Sequence, residues 1–186
     1  MRSEKEKMLA SELYDPLDAR LQAERRRARL LLKAFNDTRD DEAGERARLL
    51  GELFGAAGAG LLIEPPFFCD YGSNITLGER VFFNFNCVVL DCAAVRIGSG
   101  TMFGPAAQIY AATHPMSAAG RRTGLELARP VEIGSDVWVG GGAVICPGVR
   151  VGDGSVVGAG SVVTRDIPRG VFAAGNPCRV VREITD

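Results

Sequence analysis

Residues 133–163 read IGSDVWVGGGAVICPGVRVGDGSVVGAGSVV. Ile133, Val139, Ile145, Val151, Val157 and Val163 recur every six residues, and Gly134, Gly140, Gly152 and Gly158 follow four of them. Four places after each aliphatic residue stands a small or β-branched one: Val137, Ala143, Val149, Ser155, Ser161 and Ile167. A period of six fits neither an amphipathic helix nor simple strand alternation. It is the hexapeptide pattern of a parallel β-helix. Each hexapeptide supplies a short strand and a turn, with one aliphatic side chain pointing inward and a glycine or small residue where the backbone bends tightly. Three such sides close a triangular coil, so residues eighteen apart should stack: Ile133 under Val151, Val139 under Val157, Ile145 under Val163.

Moving outward, the same phase appears at Ile97, Phe103 and Ile109. Offset by an insertion around Asp91–Ala94, it appears again at Leu77, Phe83 and Val89, so the repeat is expected from residue 75. Pro115 to Pro130 abandon the period, which marks a functional loop in a repeat protein. Asp166–Gly170 is expected to close the array, and Ala174-Gly175-Asn176-Pro177 to start a tail carrying Arg179 and Arg182. The amino-terminal part is charged and almost free of glycine. Ser3 with Glu6 forms a capping-box pattern, a second helix runs from Leu21 to Phe35 before Asn36-Asp37-Thr38, and a third covers Asp41 to Phe54. These helices are expected to cover an open sheet edge. The arginines at 25, 26, 27 and 29 invite a phosphate or membrane reading, but Glu24 and a helical apolar stripe make a solvated helix face the better one.

The chain has 186 residues, 22 Lys+Arg against 23 Asp+Glu, and is 46% hydrophobic. That balance suits a globular protein and argues against a nucleic-acid partner. No apolar run is long enough to span a bilayer, and MRSEKEKM lacks a signal-peptide core, so no membrane association is expected and the cytoplasm is the expected location. Five cysteines without a CxxC pair fit neither a disulfide framework nor a zinc ribbon. The single histidine cannot build a His-rich metal site, so no metal is expected. That histidine, His114, stands where the regular strand gives way to the loop, held by a rigid scaffold at the mouth of a segment free to bind substrate. A general base belongs in such a place.

The stretches Cys69-Asp70-Tyr71-Gly72-Ser73-Asn74-Ile75, Asn84-Phe85-Asn86-Cys87, Thr113-His114-Pro115, Val137-Trp138-Val139-Gly140-Gly141 and Ala174-Gly175-Asn176-Pro177 occur in that order. Together they resemble the sugar O-acetyltransferases of the hexapeptide-repeat superfamily, maltose type foremost, with the galactoside and nodulation acetyltransferases as relatives. The resemblance covers nearly the whole chain. It implies a mostly β protein: a left-handed parallel β-helix over 58–186, with loop 115–130 and a carboxy-terminal tail, behind a helical segment at 1–57. Left-handed coiling is an exception to the usual crossover rule. It also implies a homotrimer with active sites between subunits, acetyl-CoA as donor and a sugar as acceptor.

In that family the residue matching His114 takes the proton of a sugar hydroxyl, usually on carbon 6, and the oxygen attacks the thioester directly. Backbone donors near Gly141 stabilise the oxyanion. By the same resemblance Asn84 lies beside the reacting groups, and Asp70, Asp91, Glu126 and Asn86 fall on the acceptor side. Gly141, Ala159, Thr164 and Arg165 match the coenzyme A groove, and Arg179 and Arg182 match its tail contacts, where guanidinium groups suit phosphate oxygens. Trp138 is expected to face outward, either stacking on sugar or adenine or forming a trimer contact. Asn86 stands where maltose-type enzymes have Asp, and Cys92 where galactoside-type enzymes have a second acid. In YDPLDARL, either Asp15 or Asp18 matches the family's substrate-contacting segment. These departures bear on the acceptor. Other acceptors on the same fold are an antibiotic, an amino acid or a nucleotide sugar, and a non-catalytic scaffold is the reading from another class.

Overall fold

A computed structural model describes residues 2–185. Three parallel sheets form the sides of a prism. The first face stacks Ala56–Ala57, Ile75–Leu77, Val95–Ile97, Val131–Ile133 and Arg150–Val151. The second stacks Leu62–Ile63, Phe82–Phe83, Met102–Phe103, Trp138–Val139, Val156–Val157 and Val171–Ala174 and ends on the antiparallel strand Arg179–Glu183. The third stacks Phe67–Cys69, Cys87–Leu90, Gln108–Tyr110, Val144–Ile145 and Val162–Val163. Ile133 pairs with Val151, Val139 with Val157 and Ile145 with Val163, as the period requires.

The ladder begins one coil earlier than residue 75, at Ala56. Ala57, Leu77 and Ile97 stack at intervals of twenty residues, whereas Ile133 and Val151 are eighteen apart. The surplus sits in the corners between the third and first faces, Asp70–Asn74 and Asp91–Ala94. The first coil is therefore a true repeat that has lost its phase. The far end differs too. Asp166–Gly170 does not close the array: Ile167 bridges Val151, and Val171–Ala174 runs parallel to Val156–Val157. The Ser155 hydroxyl donates to the Pro168 carbonyl and accepts from the Val171 N–H, carrying the ladder past a proline that has no donor of its own. The expected tail is a strand, Arg179–Glu183, folded back on Val171–Ala174.

Inward side chains fill the prism in columns. Along the second face these are Ile63, Phe83, Phe103, Val139, Val157 and Ala173, all buried. Near the helical end the core is aromatic: Phe67 meets Phe83 edge to face at 5.3 Å, and Phe83 stacks on Phe103 at 4.3 Å.

Helix α1 (Glu4–Leu9) carries the Ser3–Glu6 capping box, α2 (Ala19–Asn36) is capped by Asp18, and α3 (Ala43–Leu53) leads into the first strand. No helix among the described residues is long and apolar enough to cross a membrane. The α2 helix covers the open edge of the third face. Asn36 Nδ2 donates to the Phe67 carbonyl at 3.0 Å, and Asn36 Oδ1 accepts from the Phe67 N–H at 2.9 Å, so one amide imitates the missing neighbour strand. Asn36→Ala leaves both groups without their partner and should cost about 2 kcal/mol of unfolding free energy in urea titrations. A loss below a few tenths would show that the edge is not capped in this way.

Candidate active site

Two corners of the prism carry the residues singled out from the sequence. Where the second face turns into the third, Asn84, Gly104, Gly140 and Gly158 follow in-register inward residues and form one column. A Cβ on Gly140 would lie 2.5 Å from the Ala159 nitrogen, so only glycine lets the coils approach there. Asn86, Ala106 and Gly142 hold positive φ at matching places in the next column (61°, 58° and 67°). Asn86 thus has a backbone reason to be Asn, since it enters the left-handed region more readily than most residues. The Asn84 side chain accepts from the Phe85 N–H at 2.7 Å. Gly142 and Gly160 donate to Pro105 and Gly141 carbonyls, but the N–H groups of Gly141 and Ala159 find no acceptor among the described residues. A small-residue edge with two N–H groups lacking acceptors among the described residues fits an extended, amide-bearing chain lying along it.

The third-to-first corner holds His114. Ala112–Thr113 and Leu127–Ala128 form an antiparallel ladder at the base of the loop, a short helix, α4 (Ala118–Arg121), fills its tip, and exposed His114 directly follows the ladder. Glu126 flanks the ladder on the other strand, and its Oε2 accepts from the Tyr14 hydroxyl at 2.8 Å. In the same corner, Asp70 Oδ2 accepts from the Cys92 thiol at 3.4 Å. Burial raises the Asp70 pKa against the lowering effects of Cys92 and Arg25, and it raises the Cys92 thiol well above its usual range.

Two readings change here. Asp91 is fully buried, and its carboxylate accepts from the N–H groups of Asp70 (3.1 Å), Tyr71 (2.8 Å) and Asn74 (3.3 Å). It shapes the corner that presents Asp70 and has no face left for an acceptor. The arginine cluster is not a uniformly solvated face either. Arg25 turns inward, donating to the Tyr71 hydroxyl at 2.7 Å and the Pro16 carbonyl at 2.5 Å, with its guanidinium 5.7 Å from the Tyr71 ring. Arg25 and Tyr14 are the site residues that pattern reading passed over. Their partners lie 46 and 112 residues away, and the only local signal was that Tyr14 opens YDPLDARL.

The remaining candidates lie around these corners. Thr164 and Arg165 are exposed on the third-to-first corner, Trp138 projects from the second face, and Arg182 lies 5.8 Å from the Phe172 ring on that face. Arg179 pairs with Ala174 at the end of the small-residue column. Asp18 is occupied as the α2 cap, while Asp15 Oδ1 accepts from the Leu17 N–H. The residues expected on the coenzyme side therefore straddle the third face and do not meet in one cleft of a single chain.

A family model described as the maltose acetyltransferase hexapeptide capping motif matches residues 7–58, and one described as bacterial transferase hexapeptide (six repeats) matches residues 130–165. The chain is 56% identical over 179 residues to nodulation protein L of Rhizobium leguminosarum bv. viciae, covering 96% of this chain and 94% of that one. The crystal structure of a maltose O-acetyltransferase from Clostridium difficile 630 superposes with a TM-score of 0.98 at 45% identity, over 100% of this chain and 99% of that one. A galactoside acetyltransferase in complex with coenzyme A superposes at 0.97 with 39% identity, over 100% and 93%.

Asp91 supplies a pH test of the corner. Its burial, offset in part by the backbone donors, pushes its pKa up to about 7 from an ordinary 3.8. The folded chain then holds this proton more firmly than the unfolded one, so Asp91's contribution to stability falls as pH rises through that interval. Asp91→Asn should remove that slope and, by turning an amide toward backbone donors, cost on the order of 3 kcal/mol. Urea unfolding of both proteins at pH 5 and pH 7 checks it: an unchanged slope in the variant rules Asp91 out as the source.

Proposed function

Because the chain belongs to the hexapeptide-repeat acetyltransferases that carry the maltose-acetyltransferase capping motif, we propose that it moves the acetyl group of acetyl-CoA to a sugar hydroxyl, the 6-hydroxyl of a sugar such as maltose or glucose. The observation that carries this reading is the column of small residues with the Gly141 and Ala159 N–H groups, which find no acceptor among the described residues. His114 takes the proton of the acceptor hydroxyl as its oxygen attacks the acetyl carbonyl carbon. The carbonyl oxygen gathers negative charge facing the Gly141 N–H, which is the job of an oxyanion donor. The carbon–sulfur bond then breaks, and the proton on His114 passes to the departing coenzyme A sulfur. No acyl group is attached to the protein at any stage. Asp70 and Glu126 each have one carboxylate oxygen engaged, by Cys92 and Tyr14, which leaves the other for acceptor hydroxyls. Asn84 and Asn86 border the same reaction space, Ala159 and Trp138 border the pantetheine path, and Thr164, Arg165, Arg179 and Arg182 offer donors to the donor's far end.

The two corners are separated by the third face. From Ala106 to Ala111 an extended chain covers about 16 Å at 3.3 Å per residue, further than an imidazole reaches. His114 of one protomer therefore works with the Gly141 corner of another, in a homotrimer. The outward side of the second face supports that assembly, with Leu62, Phe82, Met102, Trp138, Val156 and Phe172 in one in-register apolar row. The first face presents Arg96, Glu132 and Arg150 instead, with Glu132 3.7 and 3.3 Å from the two guanidinium groups. It is the side suited to water.

Two outcomes are expected. Release of coenzyme A thiol from acetyl-CoA, with glucose, maltose, a galactoside and a chitin oligosaccharide offered separately, should be seen with at least one acceptor. His114→Ala should lower that turnover by about a hundredfold or more while leaving coenzyme A affinity unaltered. An undiminished rate in the variant would refute His114 as the base. Met102→Glu should shift the protein from trimer to monomer in sedimentation velocity with activity lost in parallel. Activity in a variant that sediments as a monomer would dismiss the shared site.

A further inference from the structure

The ladder at the base of the loop pairs Ala112 with Ala128 and Thr113 with Leu127. Continued one step past its last pair, that register would set His114 opposite Glu126. On its other side Glu126 meets the amino-terminal segment: its N–H donates to the Tyr14 carbonyl at 3.0 Å, and the Tyr14 N–H donates to its carbonyl at 3.1 Å. The Glu126 backbone is thus satisfied by Tyr14 and not by His114. In an antiparallel ladder that is the non-hydrogen-bonded position, where facing side chains stand closest. Tyr14 thus lies alongside Glu126, one residue beyond the ladder whose other strand leads directly into His114.

The Tyr14 side chain strengthens the arrangement. Tyr14 is only 1% exposed although Leu13 and Leu17 nearby are 46% and 71% exposed, so this one residue anchors the segment. Its hydroxyl donates to Glu126 Oε2, and in the same corner the Cys92 thiol donates to Asp70 Oδ2. Burial first, with the neighbouring Cys92 and Glu126 adding to it, raises the phenol pKa far above its usual range, so the group remains a donor. Two polar pairs, Asp70 with Cys92 and Tyr14 with Glu126, therefore share this corner. The second pair ties the amino-terminal segment to the strand that follows the loop.

We infer that Tyr14 is a positioning residue for His114, clamping Glu126 so that the loop presents the imidazole at a fixed place relative to an acceptor held by Asp70. This role rests on His114 acting as the base. The cap is then part of the catalytic apparatus and not solely a cover for the open sheet edge. Phenylalanine fills the same volume and keeps both backbone bonds, so Tyr14→Phe isolates the hydroxyl contact.

The test reads two rates on the full-length protein: transfer to the best sugar, and the slower hydrolysis of acetyl-CoA when no sugar is present and water is the acceptor. Tyr14→Phe should lower both by about tenfold, since small displacements of a catalytic group have effects of that order or more. KM for acetyl-CoA should stay as in the parent, and the melting temperature should fall by no more than the few degrees that one lost hydrogen bond costs. For hydrolysis alone, Glu126→Ala should match the Tyr14→Phe loss, the double variant should lose no more than either single one, and Glu126→Gln, which still accepts from the phenol, should recover most of the rate. Unchanged hydrolysis in Tyr14→Phe, additive losses in the double variant, or a rise confined to the acceptor KM would each overturn the positioning role. The base reading is judged separately: hydrolysis and transfer that survive in His114→Ala remove it, whereas a silent His114→Ala with a fully active Tyr14→Phe removes only the clamp.

Discussion

Every coil of this prism must lie in register with the next, because each inward side chain rests on its counterpart one turn away and each strand bonds to the strand above it. A face cannot lengthen without shifting all that follows. Extra residues are tolerated only where the backbone leaves the ladder, at corners. The extra residues of the first two coils and the whole excursion loop share one such corner, between the third and first faces. Asp70, Cys92, His114 and Glu126 stand there for that reason. On the proposed mechanism the chemistry is located where the repeat can absorb irregular length, and the amino-terminal segment covers the same corner through Tyr14 and Arg25.

The opposite requirement governs the corner of Asn84, Gly140 and Gly158. There the coils are so close that Gly140 has no room for a side chain. Close packing brings bare amides to the surface, and a surface of bare amides is a template for a ligand with carbonyls of its own. One corner supplies side-chain variety and the other backbone uniformity. A transferase needs both, one to recognise and deprotonate the acceptor and one to hold the donor.

How much of this was legible in the sequence follows from what each feature depends on. The columns from Ile133 to Val163 were readable because their spacing is a local property, and each expected stacking pair is present. The first coil was hidden by its longer corner at Asp70–Asn74, even though Ala56, Leu62 and Phe67 begin the same three faces. The return strand Arg179–Glu183 looked like a tail because reversal of direction leaves no mark on a six-residue period. His114 was visible as the only histidine at a break in the repeat. Asp91 was misplaced on the acceptor because its partners are backbone N–H groups, which carry no residue signature. Arg25 was merged with its neighbours because a helical stripe says which side is apolar but not which arginine meets a tyrosine from a distant corner.

The backward strand at the carboxy-terminal end has a wider meaning. A parallel solenoid has no intrinsic length: its last coil is as good a template for another coil as any before it, and a stray chain could extend it indefinitely. Here Arg179–Glu183 lies antiparallel on Val171–Ala174 with Arg179, Arg182 and Glu183 exposed. The final edge thus offers the wrong polarity and a row of charges to anything that would grow upon it. At the other end the Asn36 amide blocks growth differently, by occupying the Phe67 N–H and carbonyl. The molecule behaves as a crystal one coil wide whose two growth faces have been poisoned, so its size is written in its ends and not in its repeat.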